Sequence, residues 1–334
     1  MTELKTQSDA RELTYVAAIN EAVRAVLTEQ TEAFVAGEDV AGAGSVFGYY
    51  NGLLEEFGAE RVIDTPISEE GIVGLGVGAA ATGLRPIIDI MFMDFIGECM
   101  DEITNQMAKM RYMFGGTAHL PITVLTMSGA GISMAAQHSQ SLEAWLCHLP
   151  GLKVVMPATP YDAKGLIISA ARDENPVFVV LNKMSLRIKG EVPEESYIVP
   201  IGEASIVRPG ENFTIVTYSR MVHESVKAAE ALSSLGVETE VVDLRSLQPL
   251  DTNAVIESVK KTHRAMVVHE AVRFGGMGGE IAAQIQELAF DYLDAPVARV
   301  GAPFSPVPFS PQLEQSYVPN ADKIVAEART LLDV

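Results

Sequence analysis

Two series of alternating strand and helix patterns constrain this chain more than any other feature. In the first series, short apolar runs, from residues 33–36 to residues 177–181, alternate with helical patterns. The second series runs from residues 213–218 to residues 322–332. Such alternation is typical of parallel sheets with helices on both faces. We therefore predict an α/β fold with two doubly wound, mostly parallel-sheet domains.

The segment between the two series is charged and irregular. It spans residues 182–200 and includes the run Lys-Gly-Glu-Val-Pro-Glu-Glu at 189–195. We interpret it as a linker, so that residues 1–190 form one domain and residues 200–334 the other. A chain of 334 residues that is 48% hydrophobic is long enough for two such domains.

Composition narrows the choice of partners and location. The chain has 24 Lys and Arg against 44 Asp and Glu, a net charge of −20. Such a surface repels nucleic acid and anionic membranes and favours a basic partner, although equal acidity is common in soluble proteins. Cys99 and Cys147 are too few for a disulfide framework or a zinc site. Residues 1–12 lack a signal core and no run resembles a membrane span, so we expect a cytoplasmic protein.

A glycine-rich helix pattern follows Ser68, which is a favourable N-cap residue. Small residues recur at Gly71, Gly74, Gly78 and Thr82. Residues three and four apart share one face of a helix, and small ones let another backbone approach closely. We predict that this helix lies at a helix–helix seam, between subunits.

Glu69 would be the first residue of that helix. The helix dipole favours its ionised form by about 0.3–1 kcal/mol, whereas full burial can raise the pKa of a carboxyl by roughly 3–5 units. We expect burial to dominate, which would leave a carboxyl able to share a proton near neutrality. Alternatively, Glu69 and Glu70 are ordinary first-turn acids that complement the dipole.

Three loop segments have two readings each. The Ser-Gly-Ala-Gly segment at residues 128–131 could cradle an anion or form a plain sharp turn. His138 could be an acid–base group or a structural histidine. The glycine-rich segment at residues 275–279 could bind a phosphate at a helix N-terminus or let that helix pack closely on a strand.

Six motifs taken together resemble one family. They are Gly-Glu-Asp-Val at 37–40, Asp-Thr-Pro-Ile-Ser-Glu at 64–69, Gly-Leu-Arg-Pro at 83–86, Ala-Ala-Gln-His-Ser-Gln at 135–140, Pro-Gly-Leu-Lys-Val-Val at 150–155 and Asp-Leu-Arg at 243–245. The chain resembles the beta subunit of the thiamine diphosphate-dependent E1 component of 2-oxo acid and acetoin dehydrogenase complexes. The resemblance implies a transketolase-like pyrimidine-binding domain followed by a transketolase C-terminal domain.

The resemblance also implies roles for five residues. Glu69 would hydrogen-bond N1′ of the aminopyrimidine ring of thiamine diphosphate. Met91 and Phe95 would pack on that ring, Glu38 would lie beside it, and His138 would face the reacting carbon. A carboxyl at N1′ favours the imino form of the ring, whose nitrogen removes the proton from the thiazolium C2.

The family pattern further implies partners and metal ions. The Gly-Asp-Gly signature with a downstream Asn, which holds Mg²⁺ and the diphosphate, is absent from this sequence. An alpha subunit would supply it in an alpha2-beta2 heterotetramer. From its charge, we predict in addition that the acidic second domain meets a basic segment of the lipoyl acyltransferase E2 core. By position, Ile122, Ala170, Asp173 and Asn175 could bind K⁺, or this is an ordinary helix end with Asp173 solvated.

The substrate prediction depends on which branch of the family each segment resembles. Residues 91–95, 111–116, 191–197 and 306–311 look most like the acetoin dehydrogenase branch. The segments 269–271 and 275–280 look more like the pyruvate and branched-chain branches, and the loop at 41–48 is short for the acetoin branch. We predict cleavage of acetoin with transfer of the acyl group to a lipoyl carrier. Pyruvate or a branched-chain 2-oxo acid is the alternative substrate, and a non-catalytic scaffold subunit is the alternative of a different class.

Overall fold

The computed structural model describes residues 11–333. Residues 1–10, which belong to the N-terminal segment that lacks a signal core, lie outside the described residues. In chain order, the first half contains β1 (Arg11–Thr14), α1 (Tyr15–Glu29), β2 (Ala33–Gly37), α2 (Leu53–Phe57), β3 (Val62–Asp64), α3 (Glu69–Ala81), β4 (Arg85–Phe92), α4 (Met110–Met113), β5 (Thr123–Ser128), α5 (Glu143–Cys147), β6 (Lys153–Val155), α6 (Pro160–Arg172), β7 (Val177–Asn182) and β8 (Lys189–Val192).

The second half repeats the alternation. Its elements are β9 (Ser205–Arg208), β10 (Phe213–Thr217), α7 (Met221–Ser233), β11 (Thr239–Asp243), β12 (Ser246–Gln248), α8 (Thr252–Thr262), β13 (Ala265–Val272), α9 (Met277–Ala289), β14 (Ala298–Ala302), α10 (Pro311–Tyr317) and α11 (Ala321–Leu332). Among the described residues, no helix is both long and apolar enough to span a bilayer.

The first sheet has seven strands in the order β12-β6-β7-β5-β4-β2-β3, all parallel except β12. Successive residues of its strands point to opposite faces. On β4, for example, Ile88 and Ile90 pack on the side of α3, whereas Ile87 packs on the side of α1 and α6. The first sheet is therefore covered by helices on both faces, as the sequence predicts.

The second sheet has the order β14-β13-β10-β11-β9, with only β9 antiparallel. One of its faces shares a hydrophobic core with the α3 side of the first sheet. In addition, β12, which belongs to the second half of the chain, is part of the first sheet, where it pairs with β6. The two sheets are thus joined by a common core and by one exchanged strand.

Two stretches differ from their sequence-based prediction. The segment read as an irregular linker contains β8, which pairs antiparallel with β1. The sequence of residues 96–114 predicts one long helix that ends before Gly115, but the structure has a 3₁₀ segment (Met93–Cys99), a π segment (Glu102–Met107) and α4 in its place. A close contact accompanies the break, since a Cβ on Gly151 would lie 1.9 Å from the carbonyl oxygen of Ala108. Tertiary packing here overrides an uninterrupted helical pattern.

Helix α3 has an inward glycine and an outward one. A Cβ on Gly76 would lie 2.7 Å from Cγ1 of Ile88 on β4, so this glycine lets α3 pack tightly on its own sheet. A Cβ on Gly78 would meet no atom within 4 Å. Gly71 and Gly78 are exposed and Gly74 is partly exposed, and all three lie on the face predicted to form the seam. That face is free to receive another chain.

Gly76→Ala and Gly78→Ala form a matched pair. Both changes add the same methyl group and the same helix propensity, but only Gly76→Ala overpacks the contact with Ile88. In the isolated chain we expect Gly78→Ala to be more stable than Gly76→Ala by about 1–3 kcal/mol. Urea denaturation of both variants measures the difference, and equal stabilities would contradict this packing.

A buried polar cluster lies where the two halves meet. The Arg245 guanidinium pairs with Asp162 of α6 at 2.8 Å, and its backbone N–H donates to Asp243 at 3.0 Å. Asp243 is fully buried and its Oδ2 has no hydrogen-bond partner among the described residues. Burial, with a smaller contribution from Asp162, raises the pKa of Asp243 to about 8.

Asp243 should make stability depend on pH. Because its folded-state pKa is raised from 3.8 to about 8, its contribution to stability is present below pH 4 and is lost as the pH rises towards 8. Asp243→Asn removes this titration, so we expect the variant to gain stability relative to the wild type between pH 5 and pH 8. Denaturation of both proteins at the two pH values tests this, and a stability difference independent of pH would refute it.

Candidate functional site

The five residues predicted to form the site come together at one edge of the first sheet. Glu38 follows β2, Glu69 begins α3 just after β3, Met91 is near the end of β4, Phe95 follows β4, and His138 lies in the loop after β5. These four strands are neighbours in the order β5-β4-β2-β3. Since the carboxyl ends of parallel strands meet at a common edge, this is where α/β sheets place ligands.

An aromatic cluster surrounds His138. Its ring lies edge-on to the rings of Phe92 and Phe95, with centroid distances of 5.0 and 5.3 Å. Phe92 contacts Phe95 at 5.5 Å and Phe47 at 5.4 Å. Phe92 is buried, whereas Phe95 and His138 are partly exposed. Two of the predicted residues are therefore in direct contact, on an apolar support.

Two carboxylates at this edge, those of Glu38 and Glu69, lie close enough to interact electrostatically. Burial raises the pKa of Glu38, and the negative charges of Asp39 and Glu69 raise it further. Burial, assisted by the charge of Glu69, raises the pKa of Cys99 to about 12. Cys99 ends the 3₁₀ segment that contains Phe95. Glu69 is therefore within electrostatic range both of Glu38 and of the segment that presents Phe95.

This chain alone does not bury Glu69 completely. Its side chain is partly exposed, as are those of Glu38 and Met91. Ser68 occupies the N-cap position of α3, but its side chain makes no capping hydrogen bond. The expected dry environment of Glu69 would require a second chain, and it stays a prediction.

Asp94 fixes the far end of the His138 loop. One oxygen of its carboxylate accepts hydrogen bonds from the backbone N–H groups of Ser139 and Gln140, both at 3.1 Å, and from the Gln140 side chain at 2.9 Å. Three donors on one carboxylate oxygen hold the chain immediately after His138.

Lys183 forms a hydrogen bond with the backbone of His138. Its ammonium group donates to the backbone carbonyl of His138, and the residue is only 3% exposed. Burial lowers the pKa of Lys183 to about 8, while the carboxylates of Asp94, Glu270 and Glu314 act to raise it. The buried ammonium group of Lys183 therefore lies near three carboxylates, on the backbone of the loop that contains His138.

The glycine-containing part of the same loop binds anions that belong to this chain. The N–H of Ala130 donates to Glu270 at 2.7 Å. The N–H groups of Gly131 and Ser133 donate to the two oxygens of Glu314 at 2.7 and 2.9 Å. The segment is therefore a sharp turn whose backbone N–H groups bind carboxylates of the second half of the chain, and binding of a separate anion stays a prediction.

Lys183, Glu270 and Glu314 were not among the predicted site residues. Lys183 directly follows β7, whose residues 177–181 are all apolar, and Glu270 lies near the end of β13, so both positions carried a signal typical of sheet-edge residues. Glu314 lies in the short helix α10 after a proline-rich loop, and its sequence context contains no comparable signal.

The residues predicted to bind K⁺ meet at the end of α6. The Ala170 carbonyl accepts from the Asp173 N–H at 3.1 Å, and Asp173 accepts from the Asn175 N–H at 2.9 Å. The Ile122 carbonyl accepts a backbone N–H of β7. Burial alone would raise the pKa of Asp173, but hydrogen bonds from Lys153 and Asn175 lower it. Asp173 is thus ion-paired with Lys153 rather than solvated, and K⁺ binding stays a prediction.

The glycine-rich segment before α9 supports close packing. A Cβ on Gly276 or Gly278 would lie 2.8 or 2.5 Å from the ring of His269 on β13. His269 is fully buried, and burial lowers its pKa to about 4. The absence of side chains here lets the start of α9 rest on a neutral histidine, which favours the packing interpretation over phosphate binding.

Two known domain families match the two halves of this chain. Residues 11–189 match the transketolase pyrimidine-binding domain, and residues 202–324 match the transketolase C-terminal domain. The chain is 48% identical over 335 residues to the acetoin:2,6-dichlorophenolindophenol oxidoreductase subunit beta of Bacillus subtilis (strain 168), covering 97% of this chain and 98% of the relative. It is 44% identical over 323 residues to the pyruvate dehydrogenase E1 component subunit beta of the same organism, covering 96% and 99%.

The chain belongs to the family of transketolase-like E1 beta subunits of 2-oxo acid and acetoin dehydrogenases. A solved structure described as a split-gene transketolase, an inactive beta4 tetramer, has the same fold, with a TM-score of 0.77 at 23% identity over 96% of this chain and 99% of that one. The predicted α/β fold with two mostly parallel sheets is confirmed.

The open edge of this E1 beta subunit fits one half of thiamine diphosphate, the cofactor of its family. An aminopyrimidine is a flat ring with a basic nitrogen, and the edge offers a partly exposed carboxyl, that of Glu69, and an aromatic surface formed by Phe95 and His138. For the diphosphate half the chemistry is less suitable, because Glu38 and the groups that act on it, Asp39 and Glu69, are all acidic. Within residues 11–333, no group of three or more His, Cys, Asp or Glu side chains is arranged to hold a metal ion.

Proposed function

We propose that this chain, together with an alpha subunit, cleaves acetoin and transfers the acyl group to a lipoyl carrier. The convergence of Glu69, Phe95 and His138 at one sheet edge carries the proposal, because it places an acid, a ring surface and an acid–base group together. When bound, thiamine diphosphate supplies a carbanion-stabilising centre at its thiazolium C2.

Each of the five residues has a task that its environment supports. Glu69 holds a proton at N1′ of the aminopyrimidine, and Glu38, whose pKa is raised, keeps a second carboxyl nearby. Met91 and Phe95 provide the surface on which that ring rests. His138, held by its backbone, exchanges a proton with the oxygen of the reacting substrate.

The preference for acetoin is supported by sequence identity. The chain is 48% identical to two acetoin:2,6-dichlorophenolindophenol oxidoreductase beta subunits, from Bacillus subtilis and Cupriavidus necator. Identity falls to 44% for the pyruvate dehydrogenase and 43% for the 2-oxoisovalerate dehydrogenase beta subunits of Bacillus subtilis. Since the margin is small, pyruvate and branched-chain 2-oxo acids remain the alternative substrates.

The proposed assembly is an alpha2-beta2 heterotetramer in which the alpha subunit holds Mg²⁺ and the diphosphate. Two exposed features of this chain support an interface near the site. The outward face of α3 presents Gly71 and Gly78, and Tyr112, Met113 and Phe114 at the end of α4 are 87%, 77% and 61% exposed. We further propose a cytoplasmic location, K⁺ at the end of α6, and contact of the acidic second domain with a basic segment of the E2 core.

Turnover by the reconstituted pair of alpha and beta subunits tests this function. Acetoin, pyruvate and branched-chain 2-oxo acids should be compared with thiamine diphosphate, Mg²⁺ and a dye acceptor present. We expect the largest kcat/KM for acetoin. A larger value for a 2-oxo acid would move the chain to that branch, and a chain that forms no complex with an alpha subunit and turns over none of them would be a scaffold subunit.

A further inference from the structure

The loop from Gly129 to Gln140 is bound at both of its ends by side chains from other parts of the chain. Its first part carries four positive φ angles, at Gly129, Gly131, Ser133 and Ala135. Two of these residues are not glycine, so this conformation is costly and needs external support. His138 lies three residues beyond the last of them.

That support comes from the second half of the chain. Glu314 is 2% exposed and Glu270 is 9% exposed, and neither forms a salt bridge at 4.0 Å or less among residues 11–333. Instead, both use their carboxylates on backbone N–H groups of the loop, at 2.7–2.9 Å. Such short, charge-assisted hydrogen bonds are roughly twice as strong as neutral ones.

The same polar contacts extend to Asn182 and Lys183 at the end of β7. The second oxygen of Glu270 accepts from the side chain of Asn182 at 2.9 Å, and Lys183, the next residue, donates to the His138 carbonyl. The charges of Glu270 and Glu314 both act on Lys183. A continuous set of polar contacts therefore runs from the second sheet to the backbone of His138.

We propose that Glu314 and Glu270 are positioning residues for His138, so that the second domain sets the geometry of acyl transfer without touching substrate or cofactor. The proposal rests on the proposed function of His138. Glu314 is the sharper probe because its two oxygens accept from two different loop N–H groups, those of Gly131 and Ser133.

The test compares Glu314→Gln with His138→Ala and with the double variant in the reconstituted alpha–beta complex. A glutamine keeps the size of the side chain but has one acceptor oxygen, so one loop N–H loses its partner. We expect the kcat for acyl transfer to a free lipoyl domain to fall about 10- to 100-fold, as displacement of a reacting group does, with substrate KM nearly unchanged. In the His138→Ala background, Glu314→Gln should have no further effect on this rate.

Hydrogen exchange gives a readout that does not depend on activity. In the same variant, the backbone amides of residues 130–140 should exchange faster, whereas the far strand β9 should not change. Glu257→Gln is the matched control, since Glu257 is 72% exposed on α8 and should alter neither the exchange nor the transfer rate. Glu314→Asp, which keeps the charge, serves if the glutamine variant does not fold, and its shorter side chain should give the same direction of change.

The outcomes separate the two proposals. If wild-type complex has no activity, or His138→Ala transfers acyl groups normally, the proposed function fails. If His138→Ala is impaired but Glu314→Gln is fully active, or its loss is additive with that of His138→Ala, the positioning role is wrong while the function stands.

Discussion

The parallel order of the first sheet is the constraint on which the candidate site depends. Because β5, β4, β2 and β3 are neighbouring parallel strands, the residues that follow them lie together at the carboxyl edge of the sheet. Positions far apart in sequence, such as Glu38 and His138, therefore share an environment. The chain supplies an acid, an aromatic surface and a histidine there, and it leaves the edge open.

The openness of that edge follows from how α3 packs. Its buried face uses Gly76 to approach β4 closely, whereas on its outer face a Cβ on Gly78 would meet no atom of the described residues within 4 Å. Beyond Glu70 in the first turn, the exposed residues of α3 carry no charged side chain, so this face is poorly suited to permanent contact with water. We infer that a second subunit covers this face and completes the burial of Glu69, which would unite cofactor activation with assembly.

Much of this could be predicted from the sequence, for identifiable reasons. Strands such as β2 and β7 and helices such as α1 follow local apolar patterns, and Thr14 caps α1 as expected from its residue type. The exchanged strand β12 and the break in the helix before α4 could not be predicted, since both depend on long-range packing. The hydrogen bonds that Glu270 and Glu314 accept from the loop could not be predicted for the same reason, because they join residues 140 and 183 positions apart.

We propose that Glu69 activates the aminopyrimidine half of thiamine diphosphate at a subunit boundary. The most direct test is the rate of hydrogen–deuterium exchange at the thiazolium C2 of cofactor bound to the alpha–beta complex. Glu69→Ala should slow this exchange by several orders of magnitude, while Glu70→Ala, which removes the neighbouring exposed acid of the same helix turn, should leave it near the wild-type rate. Unchanged exchange in Glu69→Ala, or equal slowing in both variants, would contradict the account.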